Sequence, residues 1–170
     1  WALGDHDQAL HHAERGLDVA EGTGGEAELL LRAGMAMYLA RVRFDGASSL
    51  VHAQAALDIA RTRAQHVTFA RTRIAAALLA MGDPGWRAEI DGAVSDALAA
   101  GDEVGERLAR EARHIHAFVT GSLDDALADL RVLTDHGDSA DLGAGLQALR
   151  LLLELLALGD RAAVTTGAER

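Results

Sequence analysis

The sequence predicts an all-α fold built from repeated helix hairpins, and three observations carry that prediction. Ala and Leu together supply 62 of the 170 residues while aromatic residues make up only 4%, a composition that favours helices packed closely through small side chains. Apolar residues make up 49% of the chain, ample for a buried core. The third observation is a recurring marker: Gly4-Asp5, Phe44-Asp45, Gly82-Asp83, Gly121-Ser122 and Gly159-Asp160, spaced by 38 to 40 residues. Periods of this size mark stacked structural repeats. The outermost copies share four residues, Ala2-Leu3-Gly4-Asp5 and Ala157-Leu158-Gly159-Asp160.

Each marker has the same physical meaning. Gly takes the left-handed conformation that ends a helix, and the Asp or Ser after it accepts amide hydrogen bonds as the N-cap of the next. Phe44 is the exception, because an aromatic residue disfavours that backbone; Gly46 is expected to provide the bend instead.

The first helix is expected over 5 to 21. It opens at Asp5, with Gln8 at capping-box spacing, and places Ala9, Ala13, Gly16, Leu17 and Ala20 on one face. Glycines between Gly22 and Gly25 break it before a second helix over 26 to 43. The third, over 47 to 61, repeats the stripe as Ser49, Ala53, Ala56, Leu57 and Ala60; its junction with the fourth, over 65 to 81, contains no breaker. The fifth, over 84 to 100, starts at Pro84, where a missing N–H is harmless. Its apolar positions Ile90, Ala93, Val94, Ala97 and Leu98 come about three residues late, so Pro84-Gly85-Trp86 reads as a small insertion. Gly101-Asp102 leads into a sixth helix over 103 to 119. The seventh, over 122 to 135, has Ser122 and Asp125 at capping-box spacing and turns Ala126, Leu130 and Leu133 inward. A break at Gly137 to Ser139 precedes an eighth helix over 140 to 158 and a stub from Asp160. The whole is one repeat domain over 1 to 170, expected to be an excerpt with further repeats at both ends.

Composition removes much enzymology. All 16 basic residues are Arg, and Lys, Asn and Cys are absent, so the segment holds no P-loop lysine, Schiff-base lysine, cysteine nucleophile or thiolate metal site. A net charge of -10 argues against nucleic-acid contact, which needs a basic face. The charge is uneven: residues 40 to 74 carry six Arg against two Asp, whereas 83 to 141 carry fourteen acids against five Arg. The longest apolar runs, Ile74 to Met81 and Leu151 to Leu158, fall short of the roughly 18 residues of a spanning helix. No signal-peptide pattern is present, which makes the cytoplasm the expected compartment.

No catalytic set, metal site or cofactor site emerges. His11-His12 and His114-x-His116 point in different directions on a helix, so neither pair faces one ion. The run Asp124-Asp125-Ala126-Leu127-Ala128-Asp129 has the look of an Asp-rich Mg²⁺ motif, yet it opens a helix, where acids favour the macrodipole. Gly22-x-Gly24-Gly25 follows a helix rather than a strand and reads as a loop. Arg61-Thr62-Arg63 and Arg71-Thr72-Arg73 either pair with nearby acids or grip carboxylates or phosphates. Trp86 is either an exposed interface anchor or a staple onto a neighbouring helix.

The run Gly4, Ala9, Ala13, Gly16, Leu17 resembles the second helix of a tetratricopeptide repeat. Such units have about 34 residues and HEAT-type units about 40 to 47; longer first helices account for the intermediate period here. The elongated units, rich in Ala, Leu, Arg and Gly-Asp turns, are similar to the sensor regions of MalT-like and large LuxR-type ATPase transcription regulators of GC-rich bacteria. The resemblance implies a right-handed α-α superhelix of about four hairpins, whose first helices line a concave surface. It implies a sensor or scaffold region binding a protein or peptide segment or a small effector. Carried onto this sequence, the inward positions include Tyr38, Arg41, Thr72, Glu111 and Ile115. The alternative is a freestanding adaptor that holds a peptide or protein tail.

Overall fold

A computed structural model of the chain describes residues 6–135. Seven α-helices follow one another: α1 (His6–Ala20), α2 (Glu26–Tyr38), α3 (Gly46–Arg63), α4 (Val67–Ala80), α5 (Gly85–Ala100), α6 (Glu103–Val119) and α7 (Leu123–Asp135). Among the described residues there is no strand. The helix expected over 140 to 158, the stub after it and the first and last markers lie outside the described residues. Two compact units divide between Glu106 and Arg107, inside α6.

Two of the expected glycine markers, Gly82 and Gly121, share one helix-stop design with the break at Gly101. Gly82, Gly101 and Gly121 all have positive φ. In each case the following N–H reaches five residues back: Asp83 to the Leu78 carbonyl (2.9 Å), Asp102 to Ala97 (2.9 Å), Ser122 to Ala117 (2.8 Å). This bond satisfies a terminal carbonyl that the helix cannot. The next residue's carboxylate then serves the following helix, Asp83 accepting from the Gly85 amide (2.8 Å) and Asp102 from Gly105 (2.8 Å).

Two stops use the same geometry without glycine. At the junction that lacks a breaker, Ala64 (φ 52°) and His66 (φ 60°) take the left-handed conformation, and the Gln65 N–H bonds the Ala60 carbonyl at 3.1 Å. At the second marker Phe44 itself adopts φ 54° with its ring exposed, and Asp45 caps α3 by accepting from Ser48 at 3.0 Å. The expectation that Gly46 makes this bend is therefore corrected. Gly46 is buried inside the first turn of α3, where a Cβ would stand 2.7 Å from the Ala77 carbonyl and 2.5 Å from Met81 Cγ. Its role is close approach of α3 to α4. The turn before Phe44 also departs from the α-helix expected to 43: Leu39–Arg43 is a π turn, and Asp45 N–H reaches back six residues to the Leu39 carbonyl.

In the first unit each of α1 to α5 packs on its neighbour in sequence, and α2 also packs on α4. The core joins Leu29, Ala33 and Ala36 of α2 to Ala53, Ala56, Leu57 and Ala60 of α3 and to Ala70 and Ile74 of α4. The stripe expected on α3, including Ser49, is wholly buried. Ser49 satisfies its hydroxyl by donating to the Ala36 carbonyl at 2.7 Å, as a buried polar group must. On α5, Ile90, Ala93, Val94 and Ala97 are buried, but Leu98 is 53% exposed; four positions already fill the stripe facing α4. Pro84 is the N-cap of α5, and Gly85 and Trp86 form its first turn. They belong to the helix expected over 84 to 100. Trp86 is buried, with Arg87 over its ring at 5.4 Å, which fits a staple.

In the second unit Ala117 of α6 packs with Ala126, Leu127 and Leu130 of α7. Leu133 is buried as expected.

Candidate functional site

The positions on α2 at steps of four and three are Leu30, Gly34, Met37 and, through the π turn, Arg41. They share one face, and it stays open. Leu30 is 46% exposed, no atom of the described residues lies within 4 Å of the point a Cβ on Gly34 would occupy, and Arg41 is exposed. The neighbouring wall is α4, which contributes His66 just before its first turn, then Phe69 and Arg73. His66 Nε2 meets Glu26 Oε1 at 3.4 Å at one end; Arg73 Nη1 lies 3.7 Å from Met37 Sδ towards the other.

Arg73 sits in an unusual setting. Its guanidinium lies 4.2 Å over the Phe69 ring, its Nε is buried without an acceptor, and no carboxylate among the described residues pairs with it. Burial, and after it the charge of Arg41, lowers its pKa to about 10, so it still carries its charge at neutral pH. Arg41, although exposed by area, is crowded enough by surrounding protein that burial lowers its pKa too. Five arginines of the described residues are half-buried: Arg32, Arg71, Arg73, Arg110 and Arg113. The other four are ion-paired. Arg32 holds Glu28 (2.9 Å) and Glu21 (3.1 Å), and Arg71 holds Glu89 (2.6 Å) and Asp96 (2.5 Å) across to α5. Arg113 takes both oxygens of the buried Asp129 (2.7 and 2.6 Å), with Arg110 at 3.2 Å. Of these five, Arg73 alone faces a thioether, a ring and a like charge.

The charge of Arg32 matters in turn for Glu28. Burial pushes that carboxyl up, but Arg32 and the Gly24 and Gly22 amides outweigh it and hold it below the ordinary value. Glu28 thus closes the glycine loop onto α2, accepting from Gly24 N at 2.9 Å. The Gly22 to Gly25 segment is a helix-to-helix turn.

Of the five positions carried over from the tetratricopeptide pattern, Arg41 lies on the open face. Tyr38 and Thr72 are each 2% exposed, and the Thr72 hydroxyl donates within its own helix to the Phe69 carbonyl at 2.7 Å. Their sequence neighbours Met37 and Arg73 meet across the face instead. Glu111 is half-buried and Ile115 is 39% exposed, both in the second unit.

Among the other motifs, Arg61 and Arg63 are exposed at the end of α3. Asp124 and Asp125 are exposed at the start of α7, whereas Asp129 belongs to the arginine network. His11 and His12 are exposed with ring centroids 6.0 Å apart, while His114 and His116 are buried, His114 Nδ1 donating to the Ala126 carbonyl at 3.1 Å. Among the described residues no group of three His, Cys, Asp or Glu stands close enough to hold a metal ion, and no helix is long and apolar enough to cross a membrane. No known family, curated protein or solved structure matches the chain.

Proposed function

We propose that this chain is a tetratricopeptide-like binding region, a right-handed superhelical array whose α2–α4 face receives a ligand or partner. Within this reading it is the sensor or scaffold part of a signal-responsive bacterial transcription regulator of the MalT-like or large LuxR type, working in the cytoplasm. The observation that supports it most is the open face itself: Leu30, Gly34, Met37 and Arg41 on one helix, Phe69 and Arg73 on the next, with a charge that no described acid neutralises. Helical repeats use their stacked first helices in this way.

A sensor must convert occupancy into a change of packing, which requires the ligand to favour one arrangement over another. The α2–α4 face suits that role because its two walls are successive repeats joined through α3. A ligand touching both reads their spacing. The π turn beneath Arg41 is a second support, since such turns concentrate at functional sites.

Reading the parent gene on both sides of this segment tests the proposal. A Gly-x-x-x-x-Gly-Lys-Ser/Thr loop upstream and a helix-turn-helix downstream are expected. Further repeats followed by a stop codon, with neither module, would replace the regulator with the freestanding adaptor.

A further inference from the structure

The unpaired charge points to the chemistry of the ligand. We infer that Arg41 and Arg73 bind the carboxylate of an apolar monocarboxylic acid, whose hydrocarbon part lies over Met37, Gly34 and Leu30. This rests on the α2–α4 face being the binding surface and adds what it selects.

Three features carry the inference. First, the fold leaves a cation where a half-buried cation is ordinarily paired: each of the other four half-buried arginines has a carboxylate within 3.2 Å, and Arg73 has none among the described residues. A second cation, Arg41, stands on the same face one turn beyond Met37, the residue that Arg73 meets at 3.7 Å, and its charge adds to the lowering of the Arg73 pKa. Two like charges without a counterion repel, and one anion placed between them reverses the sign of that interaction. Second, the surroundings of Arg73 are apolar, with the Phe69 ring at 4.2 Å and Met37 Sδ at 3.7 Å. A guanidinium is weakly hydrated and matches a planar carboxylate through two parallel hydrogen bonds. A doubly charged, strongly hydrated phosphate would lose more solvation in this setting. Third, the face continues away from the charges as apolar surface. From Arg41 to Leu30 is eleven residues, about 16 Å of helix, with the exposed Leu30 side chain and the open space above Gly34 along it. Beyond Leu30, Glu26 and His66 face each other at 3.4 Å. An amphiphilic anion with one charged end therefore fits the face better than a compact polar anion.

Calorimetric titration of the full 170-residue chain tests this, with octanoate as the probe, octan-1-ol as its uncharged counterpart and inorganic phosphate as a hydrophilic anion. Octanoate is expected to bind with one site, at least about tenfold more tightly than either of the others, because a hydrogen-bonded charge pair is lost in the alcohol. Arg73→Gln and Arg41→Gln should each weaken octanoate about tenfold or more, and Arg71→Gln, on the opposite side of α4, should leave it within about twofold. Circular dichroism of each variant confirms that it folds, and Gly34→Leu, which fills the open space without touching either arginine, should weaken octanoate independently. Equal binding of octanoate and octan-1-ol would overturn the role of the arginines while leaving an apolar binding face in place. Phosphate binding as tightly as octanoate would overturn the carboxylate preference. Absence of binding by all three would overturn the inference outright, and the flanking-gene test of the wider reading would stand apart from it.

Discussion

Arg71 and Arg73 are two residues apart on the same helix and end in opposite circumstances. Arg71 points across to α5, where Glu89 and Asp96 accept from it at 2.6 and 2.5 Å, and Gly92 leaves the space its guanidinium occupies. Arg73 points towards α2 and finds Met37, Phe69 and the charge of Arg41. The first pairing finishes a joint between consecutive helices; the second is left open on the face between α2 and α4. Among the described residues the other four half-buried arginines are each neutralised by a carboxylate, and Arg73 is the exception on which the proposed binding face rests.

Substitutions put that contrast at risk. The largest effect is expected at Asp129, the buried acid that Arg113 and Arg110 share. Asp129→Ala strands two cations and should lower stability by about 3 kcal/mol, read as a shift of the urea midpoint. A loss below about 0.5 kcal/mol, no more than an exposed pair is worth, would show that closed pairs here contribute nothing. Next comes Arg71→Met, which leaves the half-buried Glu89 without its partner. It should lower stability by about 1 to 2 kcal/mol, less than at Asp129 because Asp96 stays largely solvated. Phe44→Gly tests the turn that carries Arg41: the ring is 77% exposed and the backbone left-handed, so glycine should raise stability by about 1 kcal/mol in thermal unfolding. A loss of similar size would mean that the Phe44 ring packs in solution. The smallest effect belongs to Arg73→Met, expected to change stability by less than about 0.5 kcal/mol or to raise it, because no ion pair is broken and a like-charge repulsion is removed.

Much of the fold was legible in the residues. Gly82, Gly101 and Gly121 mark helix stops because only glycine enters the left-handed region freely, and the Asp and Ser after them cap the next helix. The α3 stripe from Ser49 to Ala60 comes from helical period alone. The failures share a cause. Phe44, Ala64 and His66 adopt a backbone that their own preferences oppose, so the stops they form carry no local signature; Gly46 reads as a bend and is a packing contact, because which helix approaches it is settled by tertiary structure. Leu98 is apolar and exposed for the same reason. The candidate site was half legible. Arg71-Thr72-Arg73 stands out as a paired motif, and Arg41 falls at an inward position of the tetratricopeptide pattern. Which of the two α4 arginines meets acids depends on Glu89 and Asp96 arriving from α5, about one helix later in sequence, and no spacing within the motif encodes it. Tyr38 and Thr72 are buried one residue away from Met37 and Arg73, which meet across the open face, and no local signal in the sequence tells these neighbours apart.

The open charge is tested most directly by thermal unfolding of the natural chain and of Arg73→Met, each with and without millimolar octanoate. Ligand that binds only the folded state stabilises it by an amount that grows with the logarithm of ligand concentration over Kd. An anion held by Arg73 raises the midpoint of the natural chain clearly more than that of Arg73→Met, in which octanoate binds about tenfold or more weakly. Equal shifts in the two chains, or none in either, would contradict the assignment.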